Sequence, residues 1–306
     1  MDNPRNRLIH LSNSSLLSRS KLNELLQTDQ SLNSIYHMTI NDIIYEYHLS
    51  VERAKRLFTY CRDQYYFELL MKKIKPYKIW TIFDQDFPIL LRLIPDPPLV
   101  LYGLGKAELI HQSPSLAVVG TRVPSPAAKR HINQLLKPLV DRKWTLVSGM
   151  ALGIDGYAHR LAHYYNGQTI AVLAGGLEHP YPPDHLSLYR QLTIDQLVIS
   201  EYPPDRKPER YQFPERNRLI SGLAFATLVV EAKEKSGSLI TADQALEQGR
   251  EVFSVPGSIS QTQSIGCHKL IQNGAKLVQN TYDILEEWEY LRSKWCRTLQ
   301  EYRMNN

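Results

Sequence analysis

The apolar positions along the chain fall into two regimes. Residues 1–72 contain no glycine, and Ile43, Ile44, Tyr47, Val51, Ala54, Leu57 and Phe58 recur at steps of about three and four. That spacing lines one face of a helix, and it predicts an amphipathic helix pair within a small all-helical N-terminal domain. Prolines 88, 95, 97 and 98 then interrupt the stretch "KPYKIWTIFDQDFPILLRLIPDPPLVLYGLGK". Proline lacks the amide donor that a helix interior requires, so short strands and turns joining two domains are expected there.

From about residue 113 the pattern changes. The runs "LAVVG", "WTLVSG", "TIAVLAGG", "LVISEY", "FATLVVEA", "EVFSVPG" and "AKLVQ" alternate with helical stretches such as "PAAKRHINQLLKPLVDRK" and "LITADQALEQGR". A strand that is apolar along its whole length has to be covered on both faces, which is the condition of a parallel sheet. The predicted fold is therefore α/β: an extended Rossmann-like, mostly parallel sheet with helices on both faces, preceded by the small helical domain. Ligands of such sheets bind beyond the carboxyl ends of the strands, so the loops that follow strands carry the functional information.

Composition narrows the field without deciding it. With 306 residues, 43% of them hydrophobic and 22% charged, the chain has the balance of an ordinary soluble protein with a sizeable core. No run approaches 18 consecutive apolar residues, and the start "MDNPRNRLIHLSNSS" lacks the layout of a secretory signal. A cytoplasmic protein is expected, with no membrane partner. Three widely spaced cysteines, Cys61, Cys267 and Cys296, make neither a disulfide framework nor a metal knuckle, and read as buried or idle thiols. The net charge of +5 admits an anionic partner without requiring one. Residues 1–80 carry 12 Lys and Arg against 8 Asp and Glu, so the surplus is mostly N-terminal.

The loops after the predicted strands are "GTRVPSP", "SGMALGID", "GGLEHPYP", "EYPPDRKPERYQFPERNR", "EAKEKSGSLITA" and "VPGSIS". Nearly all combine glycine or serine with a following helix, an arrangement that turns backbone N–H groups and a helix N-terminus toward an oxyanion. Gly120, Gly149, Ser125 and Ser238 have a second reading as turn glycines and helix caps. Arg122, at a strand end beside a helix N-terminus, asks for an anionic ligand or a carboxylate. The 201–218 segment sets Arg206, Lys207, Arg210, Arg216 and Arg218 beside Tyr202, Tyr211 and Phe213 in a proline-rich loop. Cations interleaved with aromatics suit single-stranded nucleic acid, whose phosphates need charge and whose unstacked bases need flat apolar faces. Composition alone leaves open a solvated loop whose aromatics pack on the sheet.

Other chemistries fit less well. There is no GxGxxG, no GxxxxGK[ST] and no GxSxG elbow, and no nucleophile has an evident base. Asp155, His159 and His163 recur every four residues, but without the HExxH glutamate they read as a partly buried polar stripe rather than a metal face. No catalytic residue, metal or cofactor is expected.

The segments "AVVGTRVPS", "LVSGMALGIDGYAH", "VLAGGLEHPYP", "ISEYPP", "FPERNRLISGL", "VVEAKEKSGSLITADQALEQGREVFSVPG" and "LIQNGA", in that order, resemble the DNA-processing protein A (DprA/Smf) family over roughly residues 75–285. The resemblance implies a non-catalytic, cytoplasmic binder of single-stranded DNA and a homodimer formed through the Rossmann-like domain. It further implies a recombination mediator that protects incoming strands and loads the RecA recombinase during natural transformation. The nucleic-acid-binding residues it implies are Gly120, Thr121 and Arg122, Ser148 and Gly149, Arg210, Phe213, Arg216, Asn217 and Arg218, and the loop Ser236, Gly237 and Ser238. Within that set Arg210 grips a phosphate and Phe213 stacks on a base. The expected domain limits are 1–72 for a sterile-alpha-motif-like domain and 73–290 for the sheet domain, with 291–306 a tail that leaves no room for a winged helix. Two positions depart from the family pattern: Cys267 and His268 replace the usual Thr-Asn, and Arg210 replaces lysine. The alternative is an enzyme or free-nucleotide binder on a related fold, such as a nucleoside-monophosphate phosphoribohydrolase. Against hydrolysis, the stretch "SGSLITAD" offers Thr241 and Ala242 before Asp243, with no glutamate in place.

Overall fold

The structure, a computed structural model, describes residues 3–305, with side chains through residue 300. Residues 1, 2 and 306, which the expected domain limits include, lie outside the described residues. Five helices open the chain: α1 (Pro4–Asn13), α2 (Arg19–Thr28), α3 (Ile40–Tyr47), α4 (Val51–Arg62) and α5 (Gln64–Ile74). Side chains start all five in a regular way. Asn3, Ser18, Thr39, Ser50 and Asp63 each accept a hydrogen bond from a first-turn amide, and Thr39 with Asp42 completes a capping box. Of the periodic residues, Ile43, Tyr47, Ala54 and Leu57 are buried, whereas Val51 is exposed. His48, in the left-handed conformation, and the Ser50 cap separate α3 from α4, so the face that Val51 would have shared is turned away.

The rest of the chain builds one nine-stranded sheet. It runs through β1 (Lys78–Thr81), α6 (Ile89–Arg92), β2 (Val100–Gly105), β3 (Ser115–Val119), α7 (Ala128–Asp141), β4 (Thr145–Ser148), α8 (Ile154–Tyr164), β5 (Gln168–Val172), α9 (Leu186–Asp195) and β6 (Leu197–Ser200). It continues through α10 (Gln212–Gly222), β7 (Ala226–Val229), α11 (Gly237–Glu247), β8 (Glu251–Ser254), α12 (Ile265–Gln272), β9 (Lys276–Leu277) and α13 (Thr281–Asn305). The strand order is β1-β2-β6-β5-β4-β3-β7-β8-β9. The strands from β3 onward pair in parallel, while β1 and β2 add antiparallel to the edge at β6. The proline-rich segment that reads as a junction thus supplies two strands of the sheet itself.

Strand periodicity explains the unbroken apolar runs. Leu116 and Val118 pack on one face with Ile132, Leu136, Ile154 and Ala158 of α7 and α8. Ala117 and Val119 pack on the other with Leu219, Ile220, Ala242 and Ala245 of α10 and α11. The N-terminal helices are not packed apart from the sheet: Leu8, Leu25 and Leu57 share a continuous core with Tyr102, Ala171 and Val198. At the other end, the expected limit at residue 290 falls inside α13, where Trp288 packs edge-on against Trp144 and Phe225.

The chain leaves β3 toward β4, β5 and β6 on one side, then returns through α10 to β7 on the other. β3 and β7 therefore flank a topological switch point, and their carboxyl ends, in register at Val119 and Val229, open the crevice where this architecture holds ligands.

Candidate functional site

A cleft of about 290 Å³ occupies this switch point. Gly120 and Arg122 line it from the turn after β3, Phe213, Arg216 and Asn217 from α10, and Ser236, Gly237 and Ser238 from the start of α11. Eight of the thirteen expected residues therefore converge, drawn from three separate segments.

The turn after β3 is held from below. The Thr121 amide donates to the Glu231 carbonyl at 2.7 Å, and the Thr121 carbonyl accepts from the Ile154 amide at 3.3 Å. The Ser125 amide and hydroxyl donate to the Glu231 carboxylate at 2.8 and 2.5 Å. A Cβ on residue 120 would stand 2.6 Å from Ile154 Cγ1, so glycine is required there by close packing of strand end against helix. Thr121 is buried, its hydroxyl 3.3 Å from the Val123 amide, and it does not line the cleft. Arg122 stands exposed on this clamped turn, makes no ion pair among the described residues, and lies 5.8 Å from the centroid of the Phe213 ring. Glu231 had no signal in the sequence beyond its place at the end of an apolar run.

The 201–218 segment is not a loop throughout. From Gln212 it is helix α10, and Pro214 is accommodated as the third helical residue, where the amide has no intrahelical acceptor to lose. Helical geometry then sends neighbouring residues to different faces. Arg216 points under the cleft, its Nη1 donating to the Gly149 carbonyl at 2.5 Å and the Val172 carbonyl at 2.7 Å, while its buried Nε has no partner among the described residues. Asn217 reaches the Gly237 carbonyl at 3.5 Å. Arg218 faces the opposite way, bonded to Glu201 and to the Asp96 carbonyl, in a network that Arg19 completes through Asp96 at 2.5 Å. The structure thus separates Arg218 from the cleft, because its side chain is already neutralised on the far side of the helix.

Three more expected residues lie outside the cleft lining. Ser148, the last residue of β4, is fully buried and donates its hydroxyl to the Val118 carbonyl at 2.6 Å, which leaves no proton for a ligand. Gly149 is a packing position: its amide donates to Asp155 at 3.1 Å, and a Cβ would stand 1.9 Å from Arg216 Nη1. Arg210 is exposed on the turn before α10, with no hydrogen bond or ion pair among the described residues. Ser125, tied to Glu231, caps no helix, whereas Ser236 is the N-cap of α11, its hydroxyl 2.7 Å from that of Ser238.

Charge in the cleft is shaped by burial. Burial lowers the Arg216 pKa to about 10, with Asp155 pulling upward and Arg122 pushing further down. Burial likewise pushes the Asp155 carboxyl above its ordinary range, opposed by Arg216 and by the Ala151 and Gly149 amides. Arg122 and Arg216 line this cleft together with the Asp155 carboxyl, and an anion there would relieve the repulsion between the two guanidinium groups. Phe213 is half-buried and meets Tyr181 edge-on at 5.7 Å. Asp155, His159 and His163 make no common metal face: Asp155 serves the Gly149 amide, His159 pairs with Thr169 at 2.7 Å, and His163 with Asp195 at 3.1 Å. Among the described residues no cluster of three or more such ligands occurs, and no helix is long and apolar enough to cross a membrane. Cys61 and Cys267 are buried thiols and Cys296 is exposed. His268 meets the Gly257 carbonyl through Nε2 at 3.0 Å.

The switch-point cleft of this Rossmann-like sheet is lined by arginines, a phenylalanine and a helix N-terminus. The model of the DNA recombination-mediator protein A family matches residues 78–289, and the chain belongs to that family, one of DNA-processing proteins. It is 46% identical over 206 residues to the DNA processing protein DprA of Bacillus subtilis (strain 168), a match covering 67% of this chain and 69% of that one. The X-ray structure of DNA processing protein A from Streptococcus pneumoniae superposes with a TM-score of 0.81 at 34% identity, covering 92% of this chain and 97% of that one. The Helicobacter pylori DNA processing protein A, whose structure describes a single-stranded DNA binding mode, superposes with a TM-score of 0.63 at 28% identity, over 70% of this chain and 96% of that one.

Proposed function

We propose that this chain binds single-stranded DNA through the switch-point cleft and acts on it as a recombination mediator without catalysing a reaction. The observation that carries the reading is the convergence of Arg122, buried Arg216 and the N-terminus of α11 beside the half-buried ring of Phe213. A phosphate fits between the guanidinium groups and the helix end, while an unstacked base fits the ring. Arg210, exposed and unpaired before α10, takes a further phosphate. Membership of the family and the H. pylori relative's single-stranded DNA binding mode support the same reading. On this proposal the chain works in the cytoplasm as a homodimer, protects incoming strands during natural transformation and hands them to RecA. A hydrolase reading has less to stand on, since Asp243 is exposed on α11 and does not line the cleft.

The test is a salt titration of binding to oligo(dT), to duplex DNA and to AMP, because each neutralised phosphate adds to the slope of log K against log salt. Single strands should bind well above duplex, with a slope that grows with the number of phosphates. Equal affinity for both forms, or tight binding of AMP alone, overturns the proposal.

A further inference from the structure

We propose that a second cleft, on the far side of the α10 N-terminus, carries the continuation of the same bound strand. This rests on the reading of the first cleft as a single-strand site. The second cleft measures about 440 Å³, against about 290 Å³ for the first, and lies between the N-terminal helices and the 201–215 segment. Phe213 and Pro214 line the first cleft, whereas Tyr211 and Glu215 line the second, so the start of α10 is the ridge between them. Arg210 sits at that ridge, exposed and without an ion pair among the described residues, which accounts for an arginine that neither cleft contains.

The lining separates into neutralised and available groups. Arg19 is held by Asp96 and Glu201, and the Tyr202 hydroxyl donates to Glu215, so these form a closed polar floor. Arg53 is exposed, and its Nη2 donates only to the Leu16 carbonyl at 2.9 Å, with no carboxylate partner among the described residues. Tyr211 is 50% exposed and steadied through its hydroxyl by Arg206 at 3.1 Å, leaving a ring face available. A held ring and an uncompensated guanidinium, both lining this cleft, match one base and one phosphate of an extended strand. Arg53 also belongs to the N-terminal surplus of positive charge, for which the first cleft has no use. The path Arg122, Phe213, Arg210, Tyr211, Arg53 then alternates cation and ring over the ridge.

The experiment is a length series of oligo(dT) with the full chain, Tyr211→Ala and Arg53→Glu, spanning about 4 to about 16 nucleotides, the range of single-strand site sizes. Both substitutions are at exposed positions, and melting curves matching the parent establish that the variants fold. The parent should gain affinity between the short and long ends. Each variant should bind the short strand like the parent and the long strand at least about fivefold more weakly, with the salt slope reduced by about one in Arg53→Glu only. A parent whose affinity stops rising at the short end overturns the second cleft, as do variants that bind the long strand normally or lose both lengths alike. Failure of the first-cleft reading shows itself separately, as a parent that does not prefer single strands at any length.

Discussion

The Arg216 guanidinium lies directly against Gly149: Nη1 donates to the Gly149 carbonyl at 2.5 Å, and a Cβ at position 149 would stand 1.9 Å from that nitrogen. Gly149→Ala therefore has to move a buried cation off two carbonyl acceptors, and hydrogen bonds to charged groups contribute about 1.5–3 kcal/mol each. We expect Gly149→Ala to lower unfolding free energy by about 2 kcal/mol or more and to weaken single-strand binding. Gly237, with open space where its Cβ would be, should accept alanine within about 0.5 kcal/mol of the parent. Urea denaturation of both variants is the check; equal costs at the two positions would show that Arg216 is not packed on Gly149.

Arg122 has no ion pair among the described residues to lose, so Arg122→Ala should leave the melting temperature unchanged while lowering the salt slope of binding by about one. A melting temperature that drops with the slope unmoved would assign Arg122 to structure instead of ligand.

Phe213→Ala should cost about 1–3 kcal/mol of single-strand affinity with the salt slope kept, as loss of one stacked base does. Fluorescence anisotropy at two salt concentrations separates this from the Arg122 result. Unaltered affinity would remove Phe213 from the interface.

Arg218, 7% exposed and paired with Glu201, belongs to stability. Removing it leaves the mostly buried Glu201 with Arg19 at 3.3 Å as its remaining cationic partner, so Arg218→Ala should destabilise by about 2 kcal/mol, the contribution of a hydrogen bond to a charged group. In the fraction that remains folded, the salt slope of DNA binding should equal the parent's. A reduced slope would mean that the side chain leaves Glu201 for the strand.

Two buried histidines set an acid limit. Burial lowers His159 from 6.5 to about 3 and His10 from 6.5 to about 4. The unfolded chain takes up these protons near pH 6.5 and the folded chain only at the lower values. Their contribution is thus fully present above pH 6.5 and is lost as pH falls toward 4 and 3, each group adding a slope of up to about 1.4 kcal/mol per pH unit. His159 has its Nδ1 2.7 Å from the Thr169 hydroxyl, which itself donates to the Leu146 carbonyl, so Nδ1 bears the hydrogen and Nε2 is left bare. Urea midpoints measured from about pH 7.5 down to pH 5 should decline, and less steeply in His159→Gln; identical slopes would discard this account.

The strand runs and the helical stretches were legible because a central parallel strand has to be apolar on both faces and a flanking helix on one. Leu116 to Val119 and the Leu135, Leu136 and Leu139 set declare those roles without any knowledge of neighbours. The phosphate-suited loops were legible for a similarly local reason, since small residues and a helix start are adjacent in the chain. What the sequence hid was direction. Arg216, Asn217 and Arg218 look like one basic triplet, yet α10 sends the first to the Gly149 and Val172 carbonyls, the second to the α11 start and the third to Glu201. Proline richness concealed that helix, because Pro214 is a breaker everywhere except in the first turn.

The sequence by itself determined the alternation of strands and helices from β3 onward, the parallel sheet and the residue types suited to an anion, since period, glycine placement and residue chemistry are local properties. Only the tertiary structure decided which of those groups are available. Glu231 clamps the turn that carries Arg122 from a strand that is adjacent only after folding. Ser148 gives its hydroxyl to Val118, and Arg218 is neutralised by Glu201, through contacts 30 and 17 residues apart. Whether a charged or polar side chain is free for a ligand depends on what the fold places beside it, and that pairing is not carried by the residue itself.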